Sequence, residues 1–250
     1  MIPISQGRTR RAALVSAVWA LIVTGTGLTG CSEDPNEGTN GVGRLPADQI
    51  QRKAQKAAAS VDTVRLHGTV AAGGRTYTLD MRLKSEGAVG SVTARGETFR
   101  LLRIDDELFL KAGAEFWGHE DGQGDGTADA AAAGKLAEKY VKVPESDPAY
   151  KKFNGFTDKD VLLDGLLTLH GTLATDGHHK QAGVRTIRIT GDKGSGGTLD
   201  VALEGTPYPL RLVRAGKAGT LTFSAWGDDF PLEKPAKDET LDYGQQLPAS

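Results

Sequence analysis

The sequence predicts an α+β domain: a curved antiparallel half-barrel sheet whose concave face is covered by helices. Strand-period alternation of apolar and polar residues runs from Val64 to Leu110 and returns from Arg185 to Trp226. The stretch between these runs changes to alanine- and leucine-rich helical patterning. A sheet with one apolar face must be covered, and the few helices are the available cover.

The chain opens with three arginines, Arg8, Arg10 and Arg11, followed by the apolar run 12–23 and then Leu28-Thr29-Gly30-Cys31. Cys31 is the single cysteine, so an internal disulfide is impossible. A positive region, an apolar region and small residues before the cysteine make a signal peptide ending in a sequence that resembles a bacterial lipobox. This predicts removal of residues 1–30 and lipid attachment at Cys31, and so an extracytoplasmic protein anchored to the cell membrane by lipid. An ordinary secretory signal and an uncleaved anchor helix are the alternatives. The apolar run is shorter than the ~20 residues a bilayer span needs. Thr9-Arg10-Arg11-Ala12-Ala13-Leu14 partly resembles a twin-arginine export signal but lacks its aromatic and lysine, which leaves the export route open.

The 250 residues carry a formal charge of −2, and loss of the three arginines takes it to about −5. With no positive stripe and no interleaved aromatics, nucleic acid is not expected as a partner. Residues 31–45 are rich in Gly, Asn and acids without apolar periodicity, and read as a flexible tether. Residues 46–234 form the domain. The polar segment 235–250 reads as an unordered tail.

Within the domain, proline in the first turn and the stripe Ile50, Ala54, Ala57 and Val61 predict a helix over 46–60. Val64, Leu66 and Val70 alternate with polar residues, Gly73-Gly74 turns the chain, and Tyr77, Leu79, Met81 and Leu83 alternate in return. Strands over 89–94, 97–104 and 108–112 continue the meander. Residues 127–140 and 157–169 read as helices, the second opened by a capping box of Thr157 and Asp160 and made strongly apolar by Val161, Leu162, Leu163, Leu166 and Leu167. Strands over 185–190, 199–203, 208–213 and 221–226 follow, with Leu210 and Leu212 on one side of the third.

Candidate chemistry is sparse. Asp121-Gly122-Gln123-Gly124-Asp125-Gly126 begins like a calcium loop, but the position that needs a bidentate glutamate is Ala132, so a solvated turn is expected. His178 and His179 follow Asp176 in a stretch read as a surface loop. His67, His119 and His170 have no cysteine partner, and no G-x-S-x-G elbow occurs. Asp105-Asp106 and the glycine-rich run 191–197 read as turns. No metal, no cofactor and no enzymatic activity are expected.

The lipobox, the helix A-Q-K-A-A-A-S-V-D-T-V, the strands L-H-G-T-V and T-L-D-M-R-L, and then L-L-R-I-D-D-E-L-F-L-K-A, F-W, K-Y-V-K-V-P and T-L-T-F-S-A-W-G resemble the LppX and LprG group of actinobacterial lipoproteins. That group is similar in fold to the lipoprotein carrier LolA. The resemblance spans about Ala47 to Pro235 and implies a protein that carries or presents membrane lipid or lipoglycan. An envelope membrane protein is expected as a further partner, and the monomer as the state. Leu66, Tyr77, Leu79, Met81, Leu83, Leu101, Leu210, Leu212 and Phe223 on the strands, with Val161, Leu163, Leu166 and Leu167 on the helix, are the expected lining of an acyl-chain cavity. The alternative is an envelope interaction or sensor-associated module with a packed core.

Overall fold

The computed structural model describes residues 34–118, 133–137 and 139–242. The strands are β1 (Thr63–Ala72), β2 (Arg75–Lys84), β3 (Gly87–Ala94), β4 (Glu97–Ile104), β5 (Glu107–Lys111), β6 (Tyr140–Val143), β7 (Leu173–Gln181), β8 (Val184–Gly191), β9 (Thr198–Ala202), β10 (Pro209–Val213), β11 (Gly219–Ser224) and β12 (Thr240–Asp242). They form one open sheet in the order β12-β6-β5-β4-β3-β2-β1-β11-β10-β9-β8-β7. Neighbours pair antiparallel except β12, which runs parallel to β6.

Two local meanders, β1–β6 and β7–β11, thus meet at one seam, where β1 pairs with β11. Leu66 stands opposite Met81 on one side and Phe223 on the other, so the apolar rows of three strands coincide. The seam brings the backbones close together. A Cβ on Gly68 would lie 2.1 Å from the Thr220 carbonyl oxygen, and one on Gly219 would lie 2.0 Å from that of Thr69. Their φ angles, 144° and 120°, also suit glycine alone.

The concave face is covered by α1 (Ala47–Ala59), α2 (Ala114–Gly118), α3 (Pro148–Thr157) and α4 (Lys159–Leu166). In α1, Ile50, Ala54, Ala57 and Ala58 are buried as the helical stripe requires, while Val61, beyond the helix end, is half-buried. Asp48 in the first turn suits the positive end of the helix dipole and pairs with Arg52 one turn on, at 2.7 Å. Residues 133–136 are helical and bury Ala133 and Leu136. Most of the predicted 127–140 helix and the Asp121–Gly126 loop lie outside the described residues, and Tyr140 belongs to β6.

Several expectations are corrected. The 157–169 helix is two elements: Thr157 ends α3, and α4 is capped by Asp158, whose carboxylate accepts from the Val161 amide at 3.0 Å. Asp158 supplies the cap that the spacing had assigned to Thr157. The stretch holding His178 and His179 is edge strand β7, unread because no residue in it is buried and alternation has nothing to report. Residues 35–45 are docked and not a free tether. Val42 is buried in a 3-10 turn (Val42–Arg44), the Asn40 amide donates to the Ala202 and Gly205 carbonyls, and Arg185 donates to the Glu37 and Gly38 carbonyls. One buried valine and a set of carbonyl partners order a segment that has no periodicity.

The span read as an unordered tail contains β12. Between β11 and β12 the chain crosses the convex face as a strap. Asp229 accepts from Lys84 at 2.7 Å, the Arg82 guanidinium lies 4.5 Å over the Phe230 ring, and Lys234 pairs with Glu107. Phe230, Leu102 and Phe109 are buried yet stand outside the concave cluster, so the strap has a small core of its own. Hydrogen bonds from Lys142 and Lys234 lower the Glu107 pKa to about 2, which keeps this anchor ionised well into the acid range.

Gly68→Ala should destabilise the protein by on the order of 3 kcal/mol, because the added methyl meets backbone and the dihedral is strained. Gly155→Ala in α3, where the added methyl meets nothing within 4 Å, should be neutral or stabilising by up to about 1 kcal/mol. Urea denaturation of the two variants checks the pair; equal effects would remove the seam argument.

Candidate ligand-binding groove

The strand residues expected to line a cavity are brought together. Leu66, Leu79, Met81, Leu83, Leu101, Leu212 and Phe223 share the concave cluster with Leu163 and Leu166 of α4 and with Leu167 at its C-cap. Tyr77 closes the row half-buried, its ring 5.8 Å from that of Phe156. Leu66, Met81, Leu83 and Leu101 have 0% exposure. A side chain on a water-sized void would show surface to it, so these four touch packed neighbours.

Two residues fall elsewhere. Val161 is 61% exposed, because it sits in the first turn of α4 on the side opposite Leu163 and Leu166. Leu210 is half-buried and does not share the face of Leu212. Pairing steps from Pro209↔Val201 to Arg211↔Asp200, so Leu210 is the extra residue of a bulge and strand parity breaks there.

Open volume lies one layer out, between α1 and α4. A groove of about 420 Å³ is lined by Gln55, Lys56, Ala58 and Ala59 of α1 and by Asp160, Leu163, Asp164 and Leu167. The helices lie side by side and antiparallel, tied at both ends. At one end Gln51 accepts from the Leu169 amide at 3.0 Å, and Gln55 donates to the Thr168 hydroxyl at 3.1 Å. At the other, Lys159 donates to the Val61 carbonyl at 3.0 Å and pairs with Asp160 at 2.8 Å. Between the ties, two consecutive alanines leave α1 too thin to fill the space. Ala58, Leu163 and Leu167 are buried and make an apolar floor, while Gln55, Lys56, Asp160 and Asp164 make a polar rim.

Arg103 sets the depth of this layer. It projects from β4 to the concave side, where its Nε and Nη2 donate to the Thr157 carbonyl at 3.3 and 3.1 Å and its Nη1 donates to the Asp105 carbonyl at 2.8 Å. Its charge meets the negative end of α3 and holds the α3–α4 junction against the sheet.

The alanine run at 57–59 signals a thin helix in the sequence, but the roles of Gln51, Gln55, Arg103 and Lys159 have no local signature. The histidines do not converge. His67 Nδ1 lies 3.9 Å from Asp80, His178 Nε2 lies 3.1 Å from the Asn36 side chain, and His179 bonds the Asp176 carbonyl at 2.9 Å. Among the described residues no group of three His, Cys, Asp or Glu side chains is placed to hold a metal ion, and no helix is long and apolar enough to cross a membrane.

A large open sheet with one concave apolar face under a few helices is the LolA-like class of fold. Among solved structures, the chain resembles LprF from Mycobacterium bovis, with a TM-score of 0.52 and 18% identity over 76% of this chain and 97% of that one. The lipoprotein LppX from Mycobacterium tuberculosis matches with a TM-score of 0.44 and 17% identity over 74% of this chain and 97% of that one. No family model matches the chain, and no curated protein matches it in sequence.

Replacing Arg103 with Met should cost about 1 to 3 kcal/mol, since the buried Thr157 carbonyl loses its donors. It should also raise amide exchange in α3 and α4 before the sheet opens, and hydrogen-exchange mass spectrometry would detect this. A uniform loss of protection would mean that Arg103 supports the whole fold and not the helical layer in particular.

Proposed function

We propose that this protein is a lipid-anchored, non-enzymatic envelope protein that binds an acyl chain of a membrane lipid or lipoglycan in the groove between α1 and α4. The observation that carries the reading is the groove itself: an apolar floor under a polar rim, within the 300–1,000 Å³ range of small-ligand sites. An acyl chain suits the floor of Ala58, Leu163 and Leu167. The rim, with Lys56 against Asp160 and Asp164, suits an ester- or hydroxyl-bearing head better than a bare carboxylate. The LprF-like fold and the signal sequence before Cys31 support the same reading. From Cys31 to Pro35 the chain reaches at most about 14 Å, so the docked 35–45 segment would keep the domain close to the bilayer.

The second reading, an interaction module with a packed interior, draws on the complete burial of Leu66, Met81, Leu83 and Leu101. Side-chain enlargement separates the two. Leu163→Trp should fill the groove, weaken binding of a fluorescent acyl ester at least about fivefold and leave the melting temperature nearly unchanged, whereas Leu212→Trp should overfill the core and cost about 1 to 3 kcal/mol. No probe binding by the unmodified protein, with stability lost in both variants, would favour the packed module.

For the anchor, Cys31→Ala should leave the domain folded and either release it from the membrane fraction or leave the signal uncleaved, since buried acyl methylenes supply attachment at about 0.8 kcal/mol each. Membrane retention with normal cleavage would overturn the lipid anchor.

A further inference from the structure

On the convex face, away from the acyl groove, the sheet carries a hollow of about 370 Å³ among Arg65, Arg82, Arg100 and Tyr140, with Gly90 and Ser91 at its base. We propose that this hollow binds a phosphate-bearing anion. The hollow exists because small residues of β3 lie between long side chains of β2 and β4, and because the strap leaves this part of the sheet open. Register places the residues together: Arg65 opposite Arg82, Asp80 opposite Ser91, and Ser91 opposite Arg100.

The charges do not balance. Asp80 is the one carboxylate lining the hollow, and Arg65 already holds it in a two-point contact at 3.0 and 2.9 Å. Arg82 and Arg100 make no ion pair among the described residues. The Arg82 guanidinium carbon lies 4.5 Å over the Phe230 ring, a contact made through the π-face that does not use up guanidinium N–H donors. In a chain with a net formal charge of −2, two exposed guanidiniums on the strands that flank β3, Arg82 with the strap carboxylate Asp229 close enough to interact and Arg100 with no ion pair among the described residues, are a local arrangement and not part of a basic surface. Guanidinium groups bind phosphate oxygens through paired N–H donors, and the Tyr140 hydroxyl and the Ser91 side chain add neutral donors. The proposal is independent of the acyl-chain reading, since the two sites lie on opposite faces of the sheet.

The test is an NMR titration of the full chain in neutral detergent. One arm adds inorganic phosphate, a second adds a short-chain phosphatidylglycerol, and a third adds the matching diacylglycerol without phosphate. Saturable shifts at the amides of Gly90, Ser91 and Tyr140 are expected in the first or second arm and not the third. Binding to inorganic phosphate identifies a soluble phosphate as sufficient, and binding to phosphatidylglycerol alone identifies a lipid headgroup. Arg100→Gln and Arg82→Gln should each weaken binding about tenfold, and Arg211→Gln, elsewhere on the same face, should not. Both target residues are exposed, and a fold defect in one leaves the other as the reading. Absence of shifts in both phosphate arms, or equal weakening by Arg211→Gln, would overturn the site.

Discussion

The helical layer of this protein depends on a cation placed where the sequence pattern calls for an apolar residue. Arg103 occupies a concave-face position, paired in register with Ala88 and Leu108, and is 9% exposed. Among the described residues it has no carboxylate partner. Carbonyl oxygens and the negative end of α3 satisfy it instead. Because α3 ends on this group, the chain turns there and α4 starts at Asp158, which puts Leu163, Leu166 and Leu167 over the strands. The spacing of α4 from α1 follows from that start point and from the ties at Gln51, Gln55 and Lys159. The groove is therefore what remains when two helices are tied together and one of them carries alanine between the ties.

Elements that bury one face were legible in the sequence. The stripe of α1 and the alternation through β1 and β2 are read correctly because burial imposes the period being sought. Elements that bury little were not. Edge strand β7 is exposed on both faces, and β12 is three residues in a polar segment. Among its described side chains the α3 helix buries Phe153 and Thr157, of which Phe153 alone is apolar, in a run with two lysines and a glycine. Leu210 was misplaced because a bulge breaks parity without leaving a trace in residue type. Val161 was misplaced because an apolar residue in a first turn looks the same whichever way it faces. The groove could not be read at all. It belongs to the relative position of two helices, and that position is set by side chains whose partners lie 98 to 118 residues away.

The convex face explains why β4 lacks a regular apolar and polar alternation. Leu101 belongs to the concave core, while Leu102 is buried beneath the strap and Arg103 crosses back to the helices. A strand with cover on both sides loses its polar face, and the run L-L-R-I records three different environments in sequence. Where the strap is absent the same face returns to charged residues, so one sheet carries a second small core and an open cationic hollow side by side.

The seam between β1 and β11 has a consequence for the order in which the chain can be completed. Each meander pairs strands that follow one another in sequence, whereas the seam joins strands separated by most of the domain. A chain emerging from its N-terminus holds β1 as an unpaired edge until Ser224 is available, with the apolar row of Val64, Leu66 and Val70 beside it. Contacts of such long separation slow folding and lengthen the lifetime of exposed edges. The free edge of the N-terminal meander is thus the one that waits longest for its partner, and the pairing that the two glycines permit is what covers it.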